Sequence, residues 1–199
     1  LLGVSLTGIM DSAMTNGTEP GLEKRLDTLR EIAVATNKEF AAELKIPQSA
    51  SVTCVKPSGT VSNLVDSASG IHARHAEYYL RTVRADKKDP LAQMMIEAGF
   101  YMEPDVTRPE HTVVFYFPQK APKGAITRNQ RTAIQQLEFW RLYQNHWCEH
   151  KPSATIYVQE EEWLDVGAWI YRHFDTVSGL AFLPNLEHIY KQAPYIDIT

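Results

Sequence analysis

Cysteine is scarce in this chain. Only Cys54 and Cys148 occur among 199 residues, so no disulfide framework is expected and a reducing, cytoplasmic setting fits. No apolar run approaches the roughly 18 residues that a membrane span needs, and no signal-like leader is present, so no membrane partner is expected. Lys/Arg-rich runs are missing too. With a net charge of −4 and a pI near 6, a surface that coats nucleic acid is excluded, and any anionic ligand must be held locally. Internal repeats, low-complexity tracts and a linker marking a second domain are also lacking, so residues 1–199 read as one domain. Leu1 in place of Met, and an end at Thr199 just after an apolar segment, suggest a fragment. What is present is ordinary globular composition, 44% hydrophobic and 22% charged, enough to bury a core.

Periodicity supplies the elements. Leu22, Leu26, Leu29, Ala33, Phe40 and Leu44 recur at three-to-four-residue intervals among charges, which predicts an amphipathic helix over 22–44. Residues 51–55 read as a buried strand, and 78–84 as a second one rich in aromatic and β-branched residues. Leu91, Met94, Met95 and Ala98 predict a short helix closed by Gly99. Thr112 to Phe117 reads as a strand buried on both faces, followed by a Pro/Lys/Gly-rich loop over 118–128. Ile134, Leu137, Trp140 and Trp147 mark a long helix, 153–158 a strand, 160–173 a helix opened by three acids, and 178–183 a last strand before Pro184. Helices and strands alternate, so an α/β architecture with substantial parallel pairing is expected.

The chemistry concentrates at 53–62, Thr-Cys-Val-Lys-Pro-Ser-Gly-Thr-Val-Ser. A β-rich run stops at Pro57 and opens into Ser58, Gly59, Thr60, Val61 and Ser62, small residues whose backbone N–H groups and hydroxyls can meet a phosphate without obstruction. A plain strand-to-helix connection capped by Ser/Thr accounts for the same residues. Lys56, Arg74, Arg81 and Arg84 lie near this stretch in sequence, either as guanidinium and ammonium partners of a polyphosphate or as solvent-facing charge. His146, Cys148 and His150 have alternate spacing, which would converge on a metal only from a strand, whereas the preceding pattern is helical; no metal is expected. His72 and His75 form a second pair, better suited to a role near the cradle than to a metal. The four tryptophans fall on apolar helix faces and read as core.

The cradle also has company in a particular order. Val55-Lys56-Pro57-Ser58-Gly59-Thr60-Val61-Ser62 followed by Ser69-Gly70-Ile71-His72 resembles the substrate-phosphate loop of ribonucleotide reductases of the monomeric, adenosylcobalamin-dependent, ribonucleoside-triphosphate type. Gly3 to Asp11 is similar to the barrel segment before that family's long helix, and Tyr79-Leu80-Arg81-Thr82-Val83-Arg84 to its next strand. His146 to His150, Pro152 to Ile156, Phe182-Leu183-Pro184 and Ala193-Pro194-Tyr195 resemble the late barrel. The resemblance spans nearly the whole chain.

It implies part, roughly the C-terminal half, of a ten-stranded α/β barrel, in an enzyme that replaces the ribose 2′-hydroxyl with hydrogen. It further implies adenosylcobalamin as cofactor, a ribonucleoside triphosphate as substrate and a thioredoxin-type reductant acting through a C-terminal tail that this chain lacks. Carried over by position, Pro57, Ser58, Gly59, Thr60, Val61 and Ser62 hold the substrate phosphates. The family's finger loop, with its radical cysteine, Asn and Glu, has no counterpart here. No residue is therefore assigned catalysis, neither Cys54 nor Cys148 included, and the fragment is expected to be inactive alone. The cofactor is expected against segments after the phosphate loop and near 182–195, with no residue named. Two alternatives stand beside this reading. One is the large subunit of a diiron-dependent ribonucleoside-diphosphate reductase, which needs a late tyrosine pair; Tyr78-Tyr79 comes too early, and Tyr190 and Tyr195 are unpaired. The other is a non-catalytic nucleotide-binding module.

Overall fold

The computed structural model describes residues 3–185 and 191–198; Tyr190 lies outside them. In chain order the elements are β1 (Val4–Ser5), α1 (Ala13–Asn16), α2 (Leu22–Glu43), β2 (Thr53–Cys54), α3 (Val61–Leu64), β3 (Tyr78–Asp86) and α4 (Pro90–Glu97). There follow β4 (Met102–Pro104), β5 (Thr112–Lys120), α5 (Ala133–His146), β6 (Ala154–Val158), α6 (Trp163–Arg172), β7 (Leu180–Pro184) and β8 (Tyr195–Asp197). They form two compact units, Leu1–Arg74 with Pro122–Asn185, and His75–Ala121 with Leu186–Thr199.

The first unit is α/β with parallel pairing. Val4 and Ser5 of β1 lie beside Thr53 and Cys54 of β2, and β6 pairs with β7 from Ala154–Leu180 to Val158–Pro184. Helix α5 supplies the centre of its core. Thr132 and Gln135 form a reciprocal cap at the start of α5, and from there Leu137, Trp140 and Tyr143 are fully buried at helical spacing, with Ile156 and Val158 of β6 in the same core. The Trp140 indole N–H donates to the Pro152 carbonyl at 2.8 Å, so this large ring enters the core with its polar atom satisfied. Helix α2 ends at Glu43, one residue before the expected bound, and uses its stripe sparingly: Leu22, Leu26 and Ala41 are buried, while Leu29 and Phe40 stay exposed. The three acids 160–162 form a 3₁₀ turn leading directly into α6.

The second unit departs from the parallel expectation. Its sheet, in the order β4-β5-β3-β8, is antiparallel throughout. Alternation of helix and strand suggested crossovers, but α4 and the short β4 intervene between two nine-residue strands that run antiparallel to each other. Val113, Val114 and Phe115 are all buried, so β5 is covered on both faces there. Strand β5 also continues through Pro118, where a loop was expected. The reason is geometric: Tyr116 N–H faces the β4 side and bonds Tyr101 O, so Pro118, two residues on, directs its missing N–H past the end of β4 to an open edge. Among the described residues no helix is long and apolar enough to cross a membrane.

Burial separates leucines that composition treats alike. Leu137→Ala is expected to cost about 2–5 kcal/mol in urea denaturation of this chain. Leu164→Ala, at a helical position that is 88% exposed, should stay within about 0.5 kcal/mol. Equal effects would show that the core is not where α5 places it.

Candidate functional site

The turn after β2 is closed by its own side chains. Ser58 N–H donates to Ser69 Oγ at 2.7 Å, Ser62 N–H donates to Ser58 Oγ at 2.8 Å, and the Ser62 hydroxyl donates to the Ser58 carbonyl at 2.6 Å. The Asn63 amide donates to the Gly59 carbonyl at 2.7 Å. Ser58 and the buried Ser62 thus build the turn, while Pro57, Gly59, Thr60 and Val61 are exposed. The backbone N–H groups of Gly59, Thr60 and Val61 have no acceptor among the described residues. Three successive unpaired donors at an open surface favour an anion, and they do so without a net positive side-chain charge. A Cβ built on Gly59 meets nothing within 4 Å, so glycine is not demanded there by packing; what it leaves clear is the approach from solvent.

Behind the turn the chain is tightly fastened. Gly70 has φ +55°, and a Cβ on it would lie 2.7 Å from the Lys56 carbonyl, so the segment after the cradle can lie against the segment before it only as glycine. Gly70 N–H donates to Thr7 Oγ1, and Ala68 N–H donates to Asp11 Oδ2 at 2.7 Å. Asp11 in turn holds Arg74 through two oxygens, Nε and Nη2 each at 2.9 Å, and Arg74 also donates to the Asp66 carboxylate and carbonyl. Arg74 is only 4% exposed. Its guanidinium is therefore structural, and the polyphosphate role considered for it is corrected: the forked donor set is already filled by Asp11 and Asp66. In the second unit Arg81 donates to Tyr195 Oη, and Arg84 to Asp105 and the Gln192 carbonyl.

The histidines and cysteines are fastened as well. His72 Nδ1 lies 2.9 Å from the Ser69 carbonyl, and its Nε2 accepts the Thr155 N–H at 3.0 Å. The ring is neutral with its proton on Nδ1, and burial pushes it below the ordinary imidazole value. His75 belongs to the second unit, where it lies 3.0 Å from Asp197 and stacks on Tyr195. His146 contacts Asp27, Trp147 donates its indole N–H to the Cys54 carbonyl, and Glu149 accepts the Val52 and Thr53 N–H groups. His-Trp-Cys-Glu-His is thus a clip on β2. No group of three metal-ligating side chains occurs among the described residues. Cys54 is buried, and burial pushes the Cys148 thiol up to about 12, so Cys148 is protonated at neutral pH. Asp11, Ser69 and Glu149 stood in the sequence only as members of quoted segments, with no role of their own. Ser69 lies beside Gly70, but nothing local to any of the three says which N–H from elsewhere in the chain it will meet.

With this geometry in view, the relatives of the chain can be set beside it. No protein-family model matches the chain. A crystal structure of a B12-dependent (class II) ribonucleotide reductase superimposes with a TM-score of 0.85 at 24% identity, covering 99% of this chain and 31% of that one. The fold is that of an α/β segment of a ribonucleotide reductase. The curated relatives of the chain are named adenosylcobalamin-dependent ribonucleoside-triphosphate reductases. The one from Euglena gracilis is 30% identical across the whole chain, matching 27% of its own length. The one from Lactobacillus gasseri is 29% identical over 91% of the chain, matching 25% of its length. This chain thus spans about a quarter of the length of these relatives.

Removing the carboxylate that faces Arg74 tests the fastening. Asp11→Ala strands a buried guanidinium and frees the Ala68 N–H, at an expected cost of about 3–5 kcal/mol read from the urea midpoint. A loss below about 1 kcal/mol would be that of a surface pair and would contradict the buried network.

Proposed function

We infer that this chain is the substrate-phosphate-holding part of an adenosylcobalamin-dependent ribonucleoside-triphosphate reductase. The observation that carries the reading is the run of three unpartnered N–H groups at Gly59, Thr60 and Val61, on the turn whose sequence resembles the phosphate loop of that family. Full-length relatives of this name support the substrate and cofactor classes. Their names do not favour the diiron-dependent alternative.

In this reading the turn orients and does not break bonds. The N–H groups of residues 59–61 and the Thr60 hydroxyl take the phosphate oxygens, and the rigid Ser58–Ser62 bonding keeps these donors in place before substrate arrives. The exposed Lys56 ammonium adds local positive charge beside an otherwise acidic chain. The radical chemistry that starts ribose reduction would come from adenosylcobalamin when bound. The apolar surface that Val61, Leu64 and Val65 expose directly after the turn, 61%, 87% and 60% accessible, suits the flat face of such a macrocycle, and these residues would lie against it. Cys54, buried in β2, and Cys148, whose thiol burial keeps protonated, take no part in the chemistry. The radical cysteine and the tail that receives electrons from a thioredoxin-type reductant belong to other parts of the full-length protein, which is cytoplasmic in this reading.

The full-length protein tests both halves of the reading. Deoxyribonucleotide formation is expected to require adenosylcobalamin; turnover without it removes the cofactor assignment. Gly59→Val, which the fold tolerates, should raise KM for the ribonucleoside triphosphate about ten- to hundredfold, the loss of one or two charge-assisted hydrogen bonds. An unchanged KM takes the turn out of the substrate site.

A further inference from the structure

We propose that His72 is a positioning residue for the anion turn, a neutral imidazole that ties the back of the turn to strand β6 and lets go when it is protonated. The inference rests on the phosphate reading above and adds to it a residue and a pH dependence.

The chain of bonds is short. Ser58, at the head of the turn, is anchored by its N–H on Ser69 Oγ. The Ser69 carbonyl receives both the His72 backbone N–H, at 2.9 Å, and Nδ1–H of the ring, at 2.9 Å. The other ring nitrogen accepts the N–H of Thr155, whose neighbour Ala154 donates on the β7 side, to the Gly179 carbonyl. His72 thus occupies the edge of β6 where a further strand would pair, and it passes the position of that strand to Ser69 and so to Ser58.

Only one protonation state can do this. A neutral ring with its proton on Nδ1 donates to the carbonyl and accepts from the amide; an imidazolium carries N–H on both sides, and its Nε2–H would face the Thr155 N–H donor to donor. The surroundings offer an imidazolium nothing in return. The titratable groups lining the same cavity are Arg128 and Arg131 of the preceding turn and Tyr157 of β6, with no carboxylate among its lining residues. Asp11 and Asp66, on the segments leading to His72, are engaged with Arg74. Because burial lowers the folded-state value, the bond to Thr155 is fully present above the ordinary imidazole range near 6.5 and is lost as pH falls through the lower folded value. The window therefore lies on the acid side of about 6.5.

The test uses the full-length reductase and three variants. His72→Phe, which can make neither side-chain bond, should raise KM for the ribonucleoside triphosphate about tenfold while kcat stays within about twofold. His72→Gln carries an amide donor and an acceptor and does not titrate. It should keep KM near wild type at pH 7.5 and lose the part of the rise in KM that wild type shows between pH 7 and 5.5. Protonation of the substrate's own phosphate affects both proteins alike and cancels in that comparison. Identical pH profiles for wild type and His72→Gln overturn the proposal, even if His72→Phe fails to fold. Gly59→Val separates the two levels: if it raises KM and the His72 variants do not, the positioning role alone falls, whereas if it leaves KM unchanged the phosphate reading falls first.

Discussion

The first unit depends on one buried ion pair. Arg74, nearly inaccessible, takes both oxygens of Asp11 with two of its guanidinium nitrogens and spends the remaining donors on Asp66. Its backbone does as much: the N–H donates to the Ile126 carbonyl, and its own carbonyl receives the Arg128 N–H. A single residue therefore joins the turn at Ile9–Asp11, the loop at 66–70 and the segment before α5. A charge this buried is tolerable only because each donor direction has an acceptor, and that requirement fixes where the loop behind the anion turn can lie.

That loop is the platform for Ser69, and through Ser69 for Ser58. The resulting site is built from backbone amides and local hydroxyl bonding rather than from a cluster of cations. In the reading proposed for this turn, that suits a chain with net charge −4, because the spacing of main-chain donors, and not a surplus of cations, would take the phosphate oxygens. Two of the arginines that sequence proximity suggested face carboxylates, Arg74 with Asp11 and Arg84 with Asp105, while Arg81 donates to the Tyr195 hydroxyl. Proximity in sequence to such a turn says little about a guanidinium when a carboxylate in the fold reaches it first.

Much of the fold was legible. Helices α2, α4, α5 and α6 follow from apolar spacing, with Gly99 closing α4 and three acids before α6, and β6 and β7 from β-branched and aromatic runs beside prolines. Strand direction was not. The run Thr112–Phe117 reads as a buried strand in either orientation, and only its pairing with β3 makes it antiparallel. The unequal use of the α2 stripe was equally hidden, because Leu26 and Leu29 look alike until the neighbours are placed.

For the site, local sequence determined the turn itself. Ser58 and Ser62 stand four apart so that hydroxyl and amide can meet, and Gly59 leaves the surface open; these bonds close within a few residues and need no distant partner. Tertiary structure alone decided how the turn is held and what its neighbours do. Gly70 is required by a carbonyl fourteen residues earlier, His72 by an amide on β6, and Arg74 by an aspartate near the start of the chain. Bonds between residues far apart in sequence have no periodicity to betray them, because their geometry exists only once the core around Trp140 and Tyr143 has brought the segments together.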